Sequence, residues 1–183
     1  MSRSKHIVLG VTGSIAAYRA GDIIRRLQDK GFQVSVIMTK EAEKFITPLT
    51  LACLSGKEVF RDMFHGEQER SSMGHIELAR TADCLLIAPA TANTIAKLAH
   101  GFADDILTCV ALATRAPLCI APAMNDLMYQ NPAVQENCAK LKKNGIKFVD
   151  PTKGKLACGV YGEGHLADVE NIIESVVRLL HEK

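Results

Sequence analysis

The stretch His6-Ile7-Val8-Leu9-Gly10-Val11-Thr12-Gly13-Ser14-Ile15-Ala16-Ala17 decides the fold of this 183-residue chain. It opens as a short apolar, β-rich run and closes as a turn of small residues. A helix is predicted over 14–30, with Ile15, Tyr18, Ile23, Ile24 and Leu27 near one face. Gly31 is its natural stop.

Outward from this unit the same alternation repeats. Apolar strands are predicted at 33–38, 84–88, 118–121 and 146–149. Helical patterns fall at 47–54, 91–98, 105–114, 132–143 and 169–180. Strands that are apolar throughout and separated by helices imply a parallel sheet covered on both faces. The fold class is α/β: a single doubly wound parallel-sheet sandwich, flavodoxin- or Rossmann-like, forming one domain over 1–183. Such sheets bind ligands at the carboxyl ends of their strands. Residues 10–14, Thr39, 89–94 and 122–125 should therefore converge on one crevice. Two stretches lack periodicity, 60–74 and 151–164, the second with glycines at 154, 159, 162 and 164. Both read as surface loops that cover a site.

Composition narrows the partners. The net charge is +2, with 48% hydrophobic and 23% charged residues, which gives no strong field for nucleic acid or a membrane surface. No amino-terminal leader pattern and no bilayer-length apolar run is present, so a soluble, cytoplasmic protein is expected. The six cysteines form no Cys-x-x-Cys pair and no metal-ligand spacing, which favours a reduced, metal-free set. Cys84, Cys109 and Cys119 sit in apolar runs, whereas Cys158 lies among glycines.

Several residues offer chemistry, each beside a plainer role. The turn at Gly13 and Ser14 suits a single phosphate at a helix start, yet such turns also occur with no ligand. It lacks Gly-x-Gly-x-x-Gly and any Gly-Lys-Ser/Thr, so dinucleotide and P-loop readings are weak. In Pro89-Ala90-Thr91-Ala92-Asn93-Thr94 the small residues admit a flat ring, while Thr91 or Asn93 equally serves as a helix cap. Asn125, in Pro122-Ala123-Met124-Asn125-Asp126-Leu127-Met128-Tyr129, is an amide for a carboxylate or another cap; Met128 is a contact or core. His75 is a proton shuttle or a surface histidine, and Arg80 a carboxylate ligand or a surface ion-pair member. Cys158 is a proton donor on a closing loop or an incidental thiol. Asp104 and Asp105 suit the start of a helix better than a catalytic pair.

Together, and in this order, five segments resemble the homo-oligomeric flavin-containing cysteine decarboxylases. They are Gly13-Ser14-Ile15-Ala16-Ala17, Gly74-His75-Ile76-Glu77-Leu78, Pro89 to Thr94, Pro122 to Met128 and Ala157-Cys158-Gly159. The resemblance implies FMN, with Gly13, Ser14, Ile15 and Thr39 at its phosphate. Ala90, Thr91, Ala92 and Asn93 would line the ring, with Thr108 and Ala123 nearby. It makes His75, Asn125 and Cys158 catalytic and adds Met128 and Arg80 to Asn125 as substrate contacts. The implied activity is decarboxylation of 4′-phosphopantothenoylcysteine to 4′-phosphopantetheine in coenzyme A biosynthesis, by a homotrimer or dodecamer. A cysteine carboxylate has no electron sink of its own, which is what a flavin supplies by oxidising the thiol-bearing carbon.

Three departures stand out: Thr91 where Ser is frequent, Tyr129 where Trp is frequent, and His165-Leu166 where Arg-Met is expected. The chain ends at Lys183 without the synthetase domain of many bacterial relatives, so a monofunctional or truncated protein is expected. Peptidyl-cysteine decarboxylases share the His and Asn motifs but do not need the thiol of Cys158. Flavin prenyltransferases share the fold without this pairing of motifs. Flavin-binding regulatory relatives tend to carry long acidic tails, and a plain electron-transfer flavoprotein gives Cys158 no task.

Overall fold

Side chains on successive residues of a strand point to opposite faces, so a strand apolar at every position needs cover on both sides. The computed structural model, which describes residues 3–63, 74–155, 159 and 161–181, has that arrangement. Strands β1 (His6–Val11), β2 (Gln33–Met38), β3 (Cys84–Ala90), β4 (Leu118–Pro122) and β5 (Lys147–Phe148) form one sheet in the order β2-β1-β3-β4-β5. Every pairing in it is parallel. Ile7, Leu9, Leu86 and Ala88 face one core, and Val8, Leu85, Ile87 and Ile120 face the other.

Helices α1 (Ala20–Asp29), α2 (Pro48–Ser55) and α8 (Val169–His181) supply the first core. Helices α3 (Gly74–Thr81), α4 (Ala92–His100), α5 (Ile106–Ala113) and α7 (Pro132–Lys143) supply the second. A short α6 (Asp126–Gln130) follows β4. The strand order is the flavodoxin-like one, with its reversal between β1 and β3. Among the described residues, no helix is long and apolar enough to cross a membrane.

Two sequence expectations change. The first helix begins as a 3₁₀ turn, Ile15–Arg19, before α1 takes over. With three residues per turn instead of 3.6, the start of the helix is rotated relative to the rest. Ile15 and Tyr18 therefore stand 58% and 57% exposed, while Ile23, Ile24 and Leu27 are fully buried. The glycine-rich stretch expected to be a loop contains an antiparallel pair, β6 (Thr152–Lys155) and β7 (Tyr161–His165).

Candidate active site

The sheet ladder between β1 and β3 runs only to Gly10 opposite Ile87. Beyond it Thr12 still donates its N–H to Pro89 O at 3.3 Å, and the segments that follow lie at the carboxyl ends of the strands. Ser14 leaves β1 in an extended conformation and caps the 3₁₀ turn, accepting from the Ala16 N–H at 3.4 Å. A β-carbon on Gly13 would run into the side chain of Glu41, so the loop after β2 approaches this closely only because the residue is glycine. In that loop the Thr39 N–H donates to Val11 O at 3.0 Å. Gly13 and Ser14, with Ile15 next in the chain, thus lie beside the loop that carries Thr39. Hydroxyls together with N–H groups at the start of a helical turn suit a phosphate held by neutral donors.

On the β3 side Thr91 caps α4, its hydroxyl accepting from the Thr94 N–H at 3.3 Å. Ala92 is half-buried and Asn93 exposed, a small-residue platform suited to a flat ring. Ala90 and Ala123 are fully or almost fully buried, and the Ala123 N–H donates to Ala90 O at 3.1 Å. Thr108, expected nearby, lies in the first turn of α5. It is completely buried and its hydroxyl donates within Asp105, whose carboxylate accepts from the Thr108 N–H at 2.8 Å in a capping box. These bonds hold the start of α5.

The sequence reading missed Thr12. Its hydroxyl donates to Pro89 O at 2.7 Å and accepts from the Thr91 N–H at 3.0 Å, tying the two strand ends together. A hydroxyl residue directly before Gly-Ser at a strand's end was the available signal.

Asn125 caps α6, and both roles weighed for it are compatible. Its Oδ1 accepts from the N–H groups of Leu127 and Met128 at 3.0 and 3.3 Å. Since N–H donors need an acceptor, the oxygen faces the helix and the amide NH2 faces away from those donors. Met128 is 49% exposed and Leu127 72%, so neither is core. Tyr129 is buried behind them; burial, with the nearby charges of Asp150 and Glu163, pushes its phenol up to about 12. It stays protonated and donates to Asp150 at 3.4 Å. The β6–β7 hairpin docks here too, with the Met124 N–H donating to Gly164 O at 3.0 Å.

The other predicted residues are placed less directly. His75 is half-buried in the first turn of α3, and among the described residues its ring has no hydrogen-bond partner. Arg80 is exposed on the same helix, and no described contact joins it to Asn125 or Met128. Cys158 lies outside the described residues, as does most of the stretch expected to form the first flap. Burial pushes the thiol of Cys119 up to about 12 and raises those of Cys109 and Cys138. A cleft of about 450 Å³ sits at the opposite edge, lined in part by His6, Ser35, Lys57 and Glu77. Among the described residues, none of the predicted site residues lines it.

The family model described as Flavoprotein matches residues 1–181. The chain belongs to the Flavoprotein family. A probable phosphopantothenoylcysteine decarboxylase of Streptococcus mutans is 49% identical to this flavoprotein over 175 residues, covering 94% of this chain and 97% of that one. The coenzyme A biosynthesis bifunctional protein CoaBC of Vibrio vulnificus is 47% identical over 169 residues, covering 92% of this chain; the match spans only 42% of that longer protein. Among solved structures, a PPC decarboxylase mutant complexed with pantothenoylaminoethenethiol superposes with a TM-score of 0.83 at 35% identity, covering 99% of this chain and 100% of that one. The FMN binding protein AtHal3 superposes at 0.81 with 34% identity, covering 99% of each chain. The resemblance stated from the five motifs, and the flavodoxin-like fold read from the alternation of strands and helices, are borne out.

Proposed function

We propose that this flavoprotein is an FMN-dependent decarboxylase of 4′-phosphopantothenoylcysteine, forming 4′-phosphopantetheine and CO2 in cytoplasmic coenzyme A biosynthesis, with residues 1–183 acting as one flavoprotein domain. One observation carries the reading: the Ser14 turn, the Thr91 platform and the Asn125 cap are hydrogen-bonded into one edge through Thr12 and Ala123. The residues there fit FMN. Gly13, Ser14, Ile15 and Thr39 would hold its phosphate, and Ala92 and Asn93, with Thr91 behind them, would lie along its ring.

When bound, FMN supplies the two-electron oxidation of the thiol-bearing carbon that makes loss of CO2 possible, and returns the electrons afterwards. The protein's part is to hold the substrate and move protons. The Asn125 NH2, kept in orientation by the cap, donates to the substrate carboxylate beside Met128. His75 accepts the thiol proton, and Arg80 adds positive charge for an anionic group. The Cys158 thiol delivers the final proton to carbon, which distinguishes a complete decarboxylase from one that stops at the enethiol. The net change is redox-neutral, with a proton replacing CO2 on carbon.

Ile15, Tyr18, Leu127 and Met128 are large apolar residues left exposed at this edge or beside it. Their exposure supports a homotrimer, alone or stacked as a dodecamer, in which a second copy covers them. The test is to purify the protein, identify any released flavin, and supply 4′-phosphopantothenoylcysteine. FMN together with CO2 release supports the proposal, whereas FMN without turnover on this substrate overturns it.

A further inference from the structure

We propose that Thr12 is a positioning residue of the flavin site, setting the separation between the phosphate turn and the ring platform. The inference rests on reading this edge as an FMN site. Past Gly10 and Ile87 the regular β1–β3 ladder ends, at the switch point where such sheets bind ligands. Thr12 links the two strand ends there. Its N–H and its hydroxyl both donate to Pro89 O, at 3.3 and 2.7 Å, and the same hydroxyl accepts from the Thr91 N–H at 3.0 Å.

Each side of the bridge leads directly to a ligand-facing element. The Ser14 N–H donates to Thr12 O at 2.8 Å, so the phosphate turn takes its position from Thr12. Thr91 in turn caps α4 and fixes where Ala92 and Asn93 lie. FMN has to reach both places at once, so its affinity depends on their spacing. Thr12 is itself only 1% exposed and works through these neighbours, not by contact.

The chemistry demanded is narrow. One atom must donate and accept at the same time inside a buried turn, which a hydroxyl does and a methyl does not. Thr12→Val keeps the shape but leaves the Thr91 N–H without its acceptor and the Pro89 carbonyl short of its strongest donor. Thr12→Ser keeps both bonds.

The test titrates FMN into apoprotein of the wild type and both variants, following flavin fluorescence and visible circular dichroism. Thr12→Val is expected to bind FMN roughly ten- to a hundredfold more weakly, in the range expected for stranded buried hydrogen-bonding groups. Thr12→Ser is expected to stay within about threefold of wild type and to keep its flavin dichroism. Equal affinity for wild type and Thr12→Val overturns the inference. Amide exchange in the apoproteins gives a second readout should the valine variant not fold. The Thr91 N–H is expected to be protected in wild type and Thr12→Ser; free exchange there also overturns the inference. A wild-type chain that takes up no FMN instead overturns the flavin reading, and Thr91 protection alone then decides whether the bridge exists.

Discussion

Met124 and Gly164 are held face to face. The Met124 N–H donates to the Gly164 carbonyl at 3.0 Å, and a β-carbon at position 164 would overlap the Met124 carbonyl oxygen. Two residues earlier, a β-carbon on Gly162 would come within 2.7 Å of the Asp126 side chain. These glycines let β7 press against the loop that carries Asn125.

Gly164→Ala is therefore expected to push the hairpin off α6, destabilising the protein by roughly 1–3 kcal/mol as overpacked sites do. Urea denaturation measures this directly. Gly162→Ala should cost less, since it meets a side chain able to turn aside. Wild-type stability in Gly164→Ala would mean the hairpin is not docked as described.

Asn125 allows its two roles to be separated. Asn125→Asp retains an oxygen for the Leu127 and Met128 N–H groups but loses the NH2 donor. Its stability should stay within about 0.5 kcal/mol of wild type, whereas Asn125→Ala should lose about 1 kcal/mol with the cap. Both variants should lose turnover by roughly a hundredfold or more if the amide donates to the substrate. An active aspartate variant would leave Asn125 as a cap alone.

Acid should weaken the fold through Asp105. Burial works to raise its pKa, but the Thr108 hydrogen bonds and the Lys97 ammonium at 2.9 Å win and hold it below its ordinary 3.8. A depressed carboxylate contributes stability that is fully present above the unfolded value and is lost as pH falls through the folded one. Asp105→Asn should flatten that acid limb of a melting-temperature profile. His6 acts at higher pH. Burial chiefly, with the charges of Lys57 and Arg3, lowers it from 6.5 against the pull of Thr81 O and Asp83. The folded state then binds fewer protons, so stability is lost as pH falls from about 6.5 toward the folded value. His6→Gln should remove that component.

Cys158→Ser should still release CO2 yet accumulate the enethiol, because the hydroxyl is a poorer acid than the thiol. Product chromatography distinguishes the two, and an undiminished yield of 4′-phosphopantetheine would remove Cys158 from the mechanism. His75→Asn should keep its bound flavin but show no bleaching of the visible flavin band when substrate is added.

The sheet was legible because burial on both faces writes continuous apolar runs into a strand, as in Cys84 to Ala90. Helix starts were legible too, since Thr91, Asp105 and Asn125 carry side chains able to accept the first N–H groups. The rotation of Ile15 and Tyr18 was not, because a five-residue 3₁₀ turn leaves no periodicity to measure. Glycines 162 and 164 read as loop residues until the loop they press against is in place. The capping box of Thr108 with Asp105 was hidden for a similar reason: it closes only once α5 forms.

The most direct measurement supplies purified, FMN-loaded protein with 4′-phosphopantothenoylcysteine and quantifies CO2 and 4′-phosphopantetheine together. Equal amounts of the two, with no added oxidant or reductant, are predicted. No CO2 from protein with FMN bound, or CO2 with no 4′-phosphopantetheine, would contradict it.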